Sequence, residues 1–311
     1  MPNNPQTLST SWFALPDHRL MALNGRDAVA FAQAQTMNDV AALRDGEWHW
    51  NGWLTPKGRV IALFALIRLD ADTLWMLLPD ADADAMATQL RRFVFRSKVA
   101  IAVRGDLHVA GRLSASDLAS GNHWAGDATD LIELDCSGDL GNGHPGRSLR
   151  ITTAAAASED AAGIAAWHRA DLEHGWPRLE AGQSGLWTPQ QLSLERLRAY
   201  SVKKGCYPGQ EIVARTHFLG QAKRGLALIR TAMPLSPGAE LSSGGVVVGT
   251  VISTRNDTAL AVLPFDLHPQ AIDLQALDAQ AIASLAPQKG ESPALGGAFW
   301  KIEPLRPGLA R

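Results

Sequence analysis

The chain has 311 residues, of which 46% are hydrophobic and 19% charged, and its formal net charge is −2. This composition is that of a globular protein and excludes a disordered or collagen-like chain, while the near-neutral charge gives no overall indication of nucleic-acid binding. The length favours two domains.

The first 25 residues lack the basic segment and apolar core of a secretory signal. The longest unbroken aliphatic and aromatic run, residues 60–67, is too short to cross a bilayer and predicts a buried strand. We therefore expect a cytoplasmic protein without a membrane partner.

Apolar spacing predicts alternating strands and helices in the first part of the chain. In chain order they are a strand at 19–25, a helix at 26–40, strands within 47–69 and 72–79, a helix at 82–95, and strands at 99–104 and 107–112.

The segment 113–157 is rich in Gly, Ser, Ala and Asp, and its pattern predicts no clear order of elements. A helix is predicted at 159–174. Beyond residue 223, short β-rich runs separated by Pro-Gly, Gly-Gly and Asn-Asp turns are typical of a small antiparallel barrel or sandwich. The change in character near residue 222 predicts two domains, 1–222 and 223–311.

The two cysteines, Cys136 and Cys206, are distant in sequence and neither belongs to a CxxC pair. Together with a reducing compartment, this spacing argues against a disulfide framework or a zinc site, and no metal site is predicted. Cys136 has no basic neighbours and is interpreted as a small buried hydrophobic residue.

Cys206 lies in a different setting, because Gly205 and Gly209 predict a tight loop that leads into a helix. A helix N-terminus, together with Lys203 and Lys204, favours the thiolate form, so we interpret Cys206 as a functional thiol of unproven role. The alternative is that Cys206 is another small buried residue.

Positive charge is concentrated around this loop, since residues 196–224 contain seven basic side chains and one acid, Glu211. The basic residues are Arg196, Arg198, Lys203, Lys204, Arg215, Lys223 and Arg224. Such a segment suits an anionic partner: a carboxylate-bearing cofactor, a phosphate or RNA. The alternative is a solvated face whose charges pair with acids elsewhere.

Four segments match a known pattern. "KKGCYPGQEIVAR" resembles the K-G-C-Y-x-G-Q-E signature of the YgfZ-type folate-binding proteins, which are relatives of the glycine-cleavage T-protein. "LNGRDAVAFAQAQTMNDV", "FVFRSKVAI" and "GLWTPQQLSLERL" resemble other segments of that family in the same order. The resemblance covers residues 20–265, and the cysteine signature is its most specific part.

This resemblance implies an α+β fold with three lobes: two intertwined α+β lobes and a C-terminal antiparallel β-barrel around a central folate site. It implies tetrahydrofolate, or a polyglutamated derivative, as the cofactor. It also implies a role in assembling or repairing iron–sulfur clusters, with cluster proteins or assembly factors as partners, and thereby an indirect contribution to tRNA modification.

The resemblance also implies folate-binding residues. Trp167 would stack on the pterin, and Glu211 would accept hydrogen bonds from its amino edge. Lys204, Arg215 and Arg224 are candidates for binding the glutamate tail. The alternatives are a core tryptophan, a helix-start acid and unpaired surface charges.

Three positions depart from the family pattern. Ser193 stands where Asn is usual, and Asp171 stands where Arg is common. His18 falls where some relatives place a folate-stacking Trp, which makes it a candidate cofactor contact. On the strand at 47–54, Trp48 and Trp50 share one face and would line a cavity or fill a core.

T-protein chemistry needs a carboxylate on the strand after a glycine turn, and Ile61 or Ala62 takes that place here. An aliphatic side chain cannot orient or deprotonate an amine. A folate-dependent aminomethyltransferase, or a related one-carbon transferase, is therefore the second interpretation, and we expect no ordinary catalytic turnover. Direct tRNA binding ranks third and is not expected, because the net charge is near neutral and no RNA-binding module is recognised.

Overall fold

The computed structural model describes residues 11–138, 146–220, 222–231, 235–243, 245–267 and 300–311. The first ten residues, considered above for a signal sequence, and residues 268–299 of the predicted second domain lie outside this part of the chain.

The described residues form strands and helices in alternation. The strands are β1 (Phe13–Ala14), β2 (Arg19–Asn24), β3 (Trp48–Leu54), β4 (Val60–Arg68), β5 (Thr73–Leu78), β6 (Ala100–Val103), β7 (His108–Arg112), β8 (Ala125–Asp127), β9 (Leu131–Asp135), β10 (Ser148–Thr152), β11 (Arg224–Thr231), β12 (Glu240–Ser243), β13 (Val246–Arg255), β14 (Thr258–Pro264) and β15 (Trp300–Glu303). The helices are α1 (Ala28–Gln35), α2 (Ala83–Arg91), α3 (Ala161–Glu173) and α4 (Gln210–Phe218).

The first sheet has the order β3-β4-β5-β2-β6, and all its pairs are antiparallel. Its side chains alternate between two cores. Trp48, Trp50 and Ala65 belong to the largest cluster of the molecule, whereas Trp53 and Phe64 belong to a second cluster with residues of α1 and α2. Because both faces are covered, β4 is an unbroken apolar run, as predicted from residues 60–67.

The second sheet has the order β1-β7-β10-β9-β8. Three of its strands come from the segment 113–157, for which the sequence predicted no order of elements. These strands are only three to five residues long, and Gly and Asp in β8 are residues that strands disfavour. Their order comes from pairing that local pattern does not contain: β10 pairs with β7, β9 with β10, and β8 with β9.

The helices after residue 158 confirm two predictions. Helix α3 begins at an Asp160 side chain that accepts hydrogen bonds from the backbone N–H groups of Ala162 and Gly163, and it packs against β7, β13 and β14. Helix α4 begins after Gly209, which has φ +82°; a Cβ there would lie 2.6 Å from the Thr55 carbonyl oxygen. The signature therefore needs glycine at this position.

The third sheet has the order β12-β13-β14-β11-β15. Its antiparallel strands confirm the β-rich character predicted after residue 223, but the pairings among the described residues do not close into a barrel. The mixed α/β architecture is confirmed at this coarser level, and the domain boundary near residue 222 stays a prediction. Among the described residues, no helix is both long and apolar enough to cross a membrane.

Candidate functional site

A small aromatic cavity lies where the first sheet faces the second sheet and α3. The residues that line it are His18, Trp48, Trp50, Ala65, Leu77, Pro79, Leu134, Cys136, Arg147, Leu149, Trp167, Asp171 and Trp176. We call this the aromatic cavity. Its volume of about 20 Å³ is room for about one water molecule.

Indole and imidazole rings form much of the cavity wall. The rings of Trp50 and Trp176 lie 4.2 Å apart at 38°, and those of Trp48 and Trp50 lie 4.9 Å apart, edge to face. On another side, His18 meets Trp167 edge to face at 6.5 Å. Flat, apolar walls of this kind suit a planar ring system as ligand.

The position of Trp167 depends on close packing against β7. Gly111 of β7 leaves the necessary space, because a Cβ there would lie 2.9 Å from Trp167 Cε3. The guanidinium of Arg147 also lies 4.6 Å from the Trp167 ring centre, a cation–π distance. Trp167 thus contacts both a strand and a buried cation.

Arg147 and Trp48 bring unused hydrogen-bond donors to the cavity. Arg147 Nη1 donates to the Trp167 carbonyl at 3.1 Å and to Asp171 Oδ1 at 2.7 Å. Its Nε and the Trp48 Nε1 are buried and have no partner among the described residues. Since an unpaired buried donor costs about 1–3 kcal/mol, these two groups fit a ligand that carries acceptors.

Asp171 links Arg147 to a second buried arginine, Arg178. Arg178 Nη1 donates to Asp171 Oδ2 at 3.1 Å, and the same guanidinium contacts Asp80 at 2.7 Å and Asp17 at 2.5 Å. Burial alone would raise the pKa of Asp171, but the charges of Arg147 and Arg178 outweigh burial and lower it below 3.8. Asp171 is thus the anion between two buried arginines, Arg147 and Arg178.

The same ionic network borders a more open region, the polar depression, which shares Pro79 with the aromatic cavity. Its volume is about 450 Å³ and its lining residues are Asp17, Pro79, Asp80, Arg178, Glu180, Ala181, Ser253, Thr254 and Arg255. The buried Ser253 hydroxyl has no partner among the described residues. Polar and charged groups therefore surround one side of an aromatic site.

The C-terminal segment 304–311 packs against two tryptophans of the cavity wall, Trp48 and Trp50. The Leu309 carbonyl accepts a hydrogen bond of 2.7 Å from Trp50 Nε1, and the Arg311 guanidinium lies 5.5 Å from the Trp48 ring centre. Arg311 Nη2 also donates to the carbonyls of Ser137, at 2.7 Å, and Asp135, at 2.9 Å. These contacts help to hold Trp48 and Trp50 in the cavity wall.

The structure separates the predicted site residues into two groups. His18 and Trp167 line the aromatic cavity, whereas Glu211 and Arg215 project from α4 as exposed side chains outside its lining. Arg224 is exposed at the start of β11, where its Nη1 donates to the Val248 carbonyl at 3.1 Å. Only His18 and Trp167 are brought together here.

Lys204 has an internal role that its sequence position did not suggest. Its buried Nζ donates to the carbonyls of Gln33, Thr36 and Asn38 at 2.5–2.9 Å, at the end of α1. Burial lowers its pKa to about 8. All three N–H donors are used, so Lys204 would have to leave these carbonyls to bind a glutamate tail.

The two cysteines occupy opposite environments. Cys136 is buried in the cavity wall, and burial raises its pKa to about 12, as expected for a structural thiol. Cys206 is exposed in the loop that precedes α4. In the described part of the chain, no group of three or more His, Cys, Asp or Glu residues is arranged to hold a metal ion.

Sequence reasoning missed Arg147, Trp176 and Arg178 as site residues. Arg147 follows a glycine-rich stretch without a clear pattern, and Trp176 and Arg178 lie just beyond α3. The segment "WHRADLEHGWP" was a signal for Trp176 and for Arg178, which directly follows it, but the sequence prediction used only its Trp167 and Asp171.

Comparisons with known proteins agree with the motifs. No family model matches the chain. The tRNA-modifying protein YgfZ of Klebsiella pneumoniae (strain 342) is 29% identical over 239 residues, covering 72% of this chain and 73% of that protein. The crystal structure of the glycine cleavage system aminomethyltransferase T from Bartonella henselae has a TM-score of 0.64 at 16% identity, covering 85% of this chain and 82% of that one. The predicted resemblance to YgfZ-type proteins, with a T-protein-like fold, is confirmed.

Proposed function

We propose that this protein binds reduced folate, as tetrahydrofolate or a polyglutamated form, in the aromatic cavity. In this proposal it assists iron–sulfur cluster assembly or repair and so supports tRNA modification indirectly. The signature around Cys206, the fold and the name of the curated relative support the proposal. The three-lobed arrangement with a closed C-terminal barrel is part of the same proposal.

The observation that carries the proposal is the pair of unpaired donors between aromatic walls. A reduced pterin offers a planar pyrimidine ring with a carbonyl oxygen as acceptor, and Trp48 Nε1 and Arg147 Nε are buried donors without partners in the described chain. Stacking with Trp167 and hydrogen bonding to these donors would satisfy groups that otherwise destabilise the fold. The chemistry of the cavity therefore fits the pterin.

The volume of the cavity adds a condition. A cavity that holds about one water molecule is too small for a pterin, so folate binding requires the cavity walls to move apart. In this proposal the contact between Trp50 and Trp176 opens, and the hydrogen bond from Trp50 Nε1 to the Leu309 carbonyl breaks with it. Folate binding is thus coupled to the loss of this contact with the C-terminal segment.

A folate-dependent aminomethyltransferase is the less favoured alternative. Ala62 is buried and Ile61 packs against the second core cluster, so the strand offers no carboxylate at that position. The nearest acids of the ionic network, Asp17, Asp80 and Asp171, are each paired with arginine. In the proposed role, Cys206 is the group that acts on iron–sulfur proteins, and its exposure leaves it accessible to them.

Calorimetric titration of the full chain with tetrahydrofolate under anaerobic conditions tests the proposal. Trp167→Ala should weaken binding by about fivefold, which corresponds to about 1 kcal/mol for a lost aromatic stack. Trp12→Ala is the matched control, because Trp12 contacts Arg112 and Arg150 and does not line the cavity. Absence of binding by the unmodified protein at millimolar tetrahydrofolate would refute the folate assignment.

A further inference from the structure

A second depression lies between the end of α4, the loop 188–191 and the start of β11. Its lining residues include Arg59, Thr188, Gln191, Thr216, Lys223 and Arg224, and its volume is about 290 Å³. We call it the basic depression. It shares no lining residue with the aromatic cavity or the polar depression.

The hydrogen bonds around Arg59 leave donors unused. Arg59 Nη1 donates to the Leu186 carbonyl at 2.9 Å and to Gln191 Oε1 at 3.1 Å, which fixes the guanidinium. Gln191 Oε1 also accepts from the backbone N–H of Thr188 at 3.0 Å. Among the described residues, Arg59 Nη2 and the Gln191 amide nitrogen have no acceptor, so both remain available as donors.

Lys223 and Arg224 add two exposed cations to the same depression. The contact of Arg224 Nη1 with the Val248 carbonyl holds its guanidinium in place. Among the residues that the structure describes, no acid lines the basic depression; the neighbouring depression, which shares Lys223 and Arg224, includes Asp266. Three cations thus face one concave surface that has donors and no carboxylate.

We propose that the basic depression binds phosphate groups of a nucleotide or of an RNA strand. A single carboxylate can accept about four hydrogen bonds, one at each lone-pair position. The side chains that line the basic depression, those of Arg59, Gln191, Lys223 and Arg224, carry more N–H donors than that. A phosphate has more acceptor oxygens, and arginine forks match its geometry.

The neighbouring depression supports this choice of ligand. It has a volume of about 630 Å³ and is lined by Phe265, whose side chain is 67% exposed. A Cβ on Gly225 would lie 2.5 Å from Phe265 Cε1, so the ring lies beside the start of β11, next to Arg224 in the chain. Cations next to an exposed aromatic ring are the combination with which proteins bind phosphate and base together.

The test uses the full chain and calorimetric titration with inorganic pyrophosphate. We expect binding that weakens about tenfold or more in the Lys223→Gln/Arg224→Gln double variant, because two charge-assisted contacts are lost. The double variant Arg26→Gln/Arg92→Gln removes the same charge from exposed positions and should bind as the unmodified protein does. Lys223 has no side-chain partner among the described residues, so the single variant Lys223→Gln checks the result without a risk to folding.

Two further probes identify the ligand. A γ-glutamyl tripeptide tests carboxylates, and tighter binding of the tripeptide than of pyrophosphate would overturn the phosphate assignment. A uridine pentanucleotide and uridine monophosphate are then compared. A higher affinity for the pentanucleotide would assign the phosphates to RNA, and equal affinities would assign them to a free nucleotide. Equal pyrophosphate binding by the double variant and the unmodified protein would overturn the site itself. Because Trp167 lies in the other cavity, Trp167→Ala should leave pyrophosphate binding unchanged, which separates this test from that of folate binding.

Discussion

Replacement of Asp171 by Asn should destabilise the protein strongly. The variant keeps the shape of the side chain and removes the charge between Arg147 and Arg178. Arg178 retains its contacts with Asp17 and Asp80, whereas Arg147 has no other acid within the described ion pairs. Arg147 therefore becomes a buried, uncompensated charge.

The expected loss in the free energy of unfolding is about 3 kcal/mol. Breaking a buried ion pair from one side costs about 3–5 kcal/mol, and the lower value applies because Arg178 keeps two carboxylates. The exposed pair of Asp117 with Arg112 provides the control, since its acid side chain is 84% accessible. Asp117→Asn should change stability by less than about 1 kcal/mol.

Urea unfolding at pH 7 and at lower pH measures this difference. The pKa of Asp171 is lower in the folded protein than its ordinary value of 3.8, so its contribution is complete above that pH and is lost as the pH falls through the folded pKa. The difference in unfolding free energy between the unmodified protein and Asp171→Asn should therefore become smaller below about pH 4. A difference in unfolding free energy of less than about 1 kcal/mol at pH 7 would show that Asp171 does not compensate the buried charge of Arg147.

Three other predictions concern single residues. Burial and the charge of Arg147 lower the pKa of His174 from 6.5 to about 4, so the free energy of unfolding should fall as the pH drops through this range. His174→Gln should reduce that fall by up to about 3 kcal/mol. Identical dependence of stability on pH in the variant and the unmodified protein would contradict this. Arg198 has φ +52°, and Arg198→Gly should raise the unfolding free energy by about 0.5–1 kcal/mol in urea, a gain that a lowered midpoint would disprove. Cys206 should be alkylated in the folded protein, and Cys136 only after unfolding. The variant Cys206→Ser should keep the melting temperature of the unmodified protein but fail to restore iron–sulfur enzyme activity in cells that lack the protein. Full rescue by this variant would count against a functional thiol.

Much of the first sheet could be predicted from the sequence, because β4 contains a long apolar run and the side chains of β3 alternate between two faces. Trp48 and Trp50 share a face and Trp53 takes the other, as alternation along a strand requires. The strands between residues 113 and 157 could not be predicted, because they are short and owe their order to pairing with one another and, through β10, with β7. Glycine-rich local sequence contains no signal for such partners.

The candidate site was predicted only where a motif pointed to it. Resemblance identified Trp167 and His18, and the structure places both in the aromatic cavity. The sequence did not indicate that the Lys204 ammonium turns inward to three carbonyls, because a lysine stem reaches in any direction from its backbone position. The contact of Arg147 with Asp171 joins residues 24 positions apart, which no local pattern predicts.

The most direct test of folate binding in the aromatic cavity compares two tryptophans of β3. Trp48 and Trp53 both have a buried, unpaired Nε1 in the described chain, but only Trp48 lines the cavity. Anaerobic tetrahydrofolate titrations should show affinity about fivefold weaker in Trp48→Phe, which loses one hydrogen bond, and unchanged in Trp53→Phe. Equal affinities in the two variants would contradict the account.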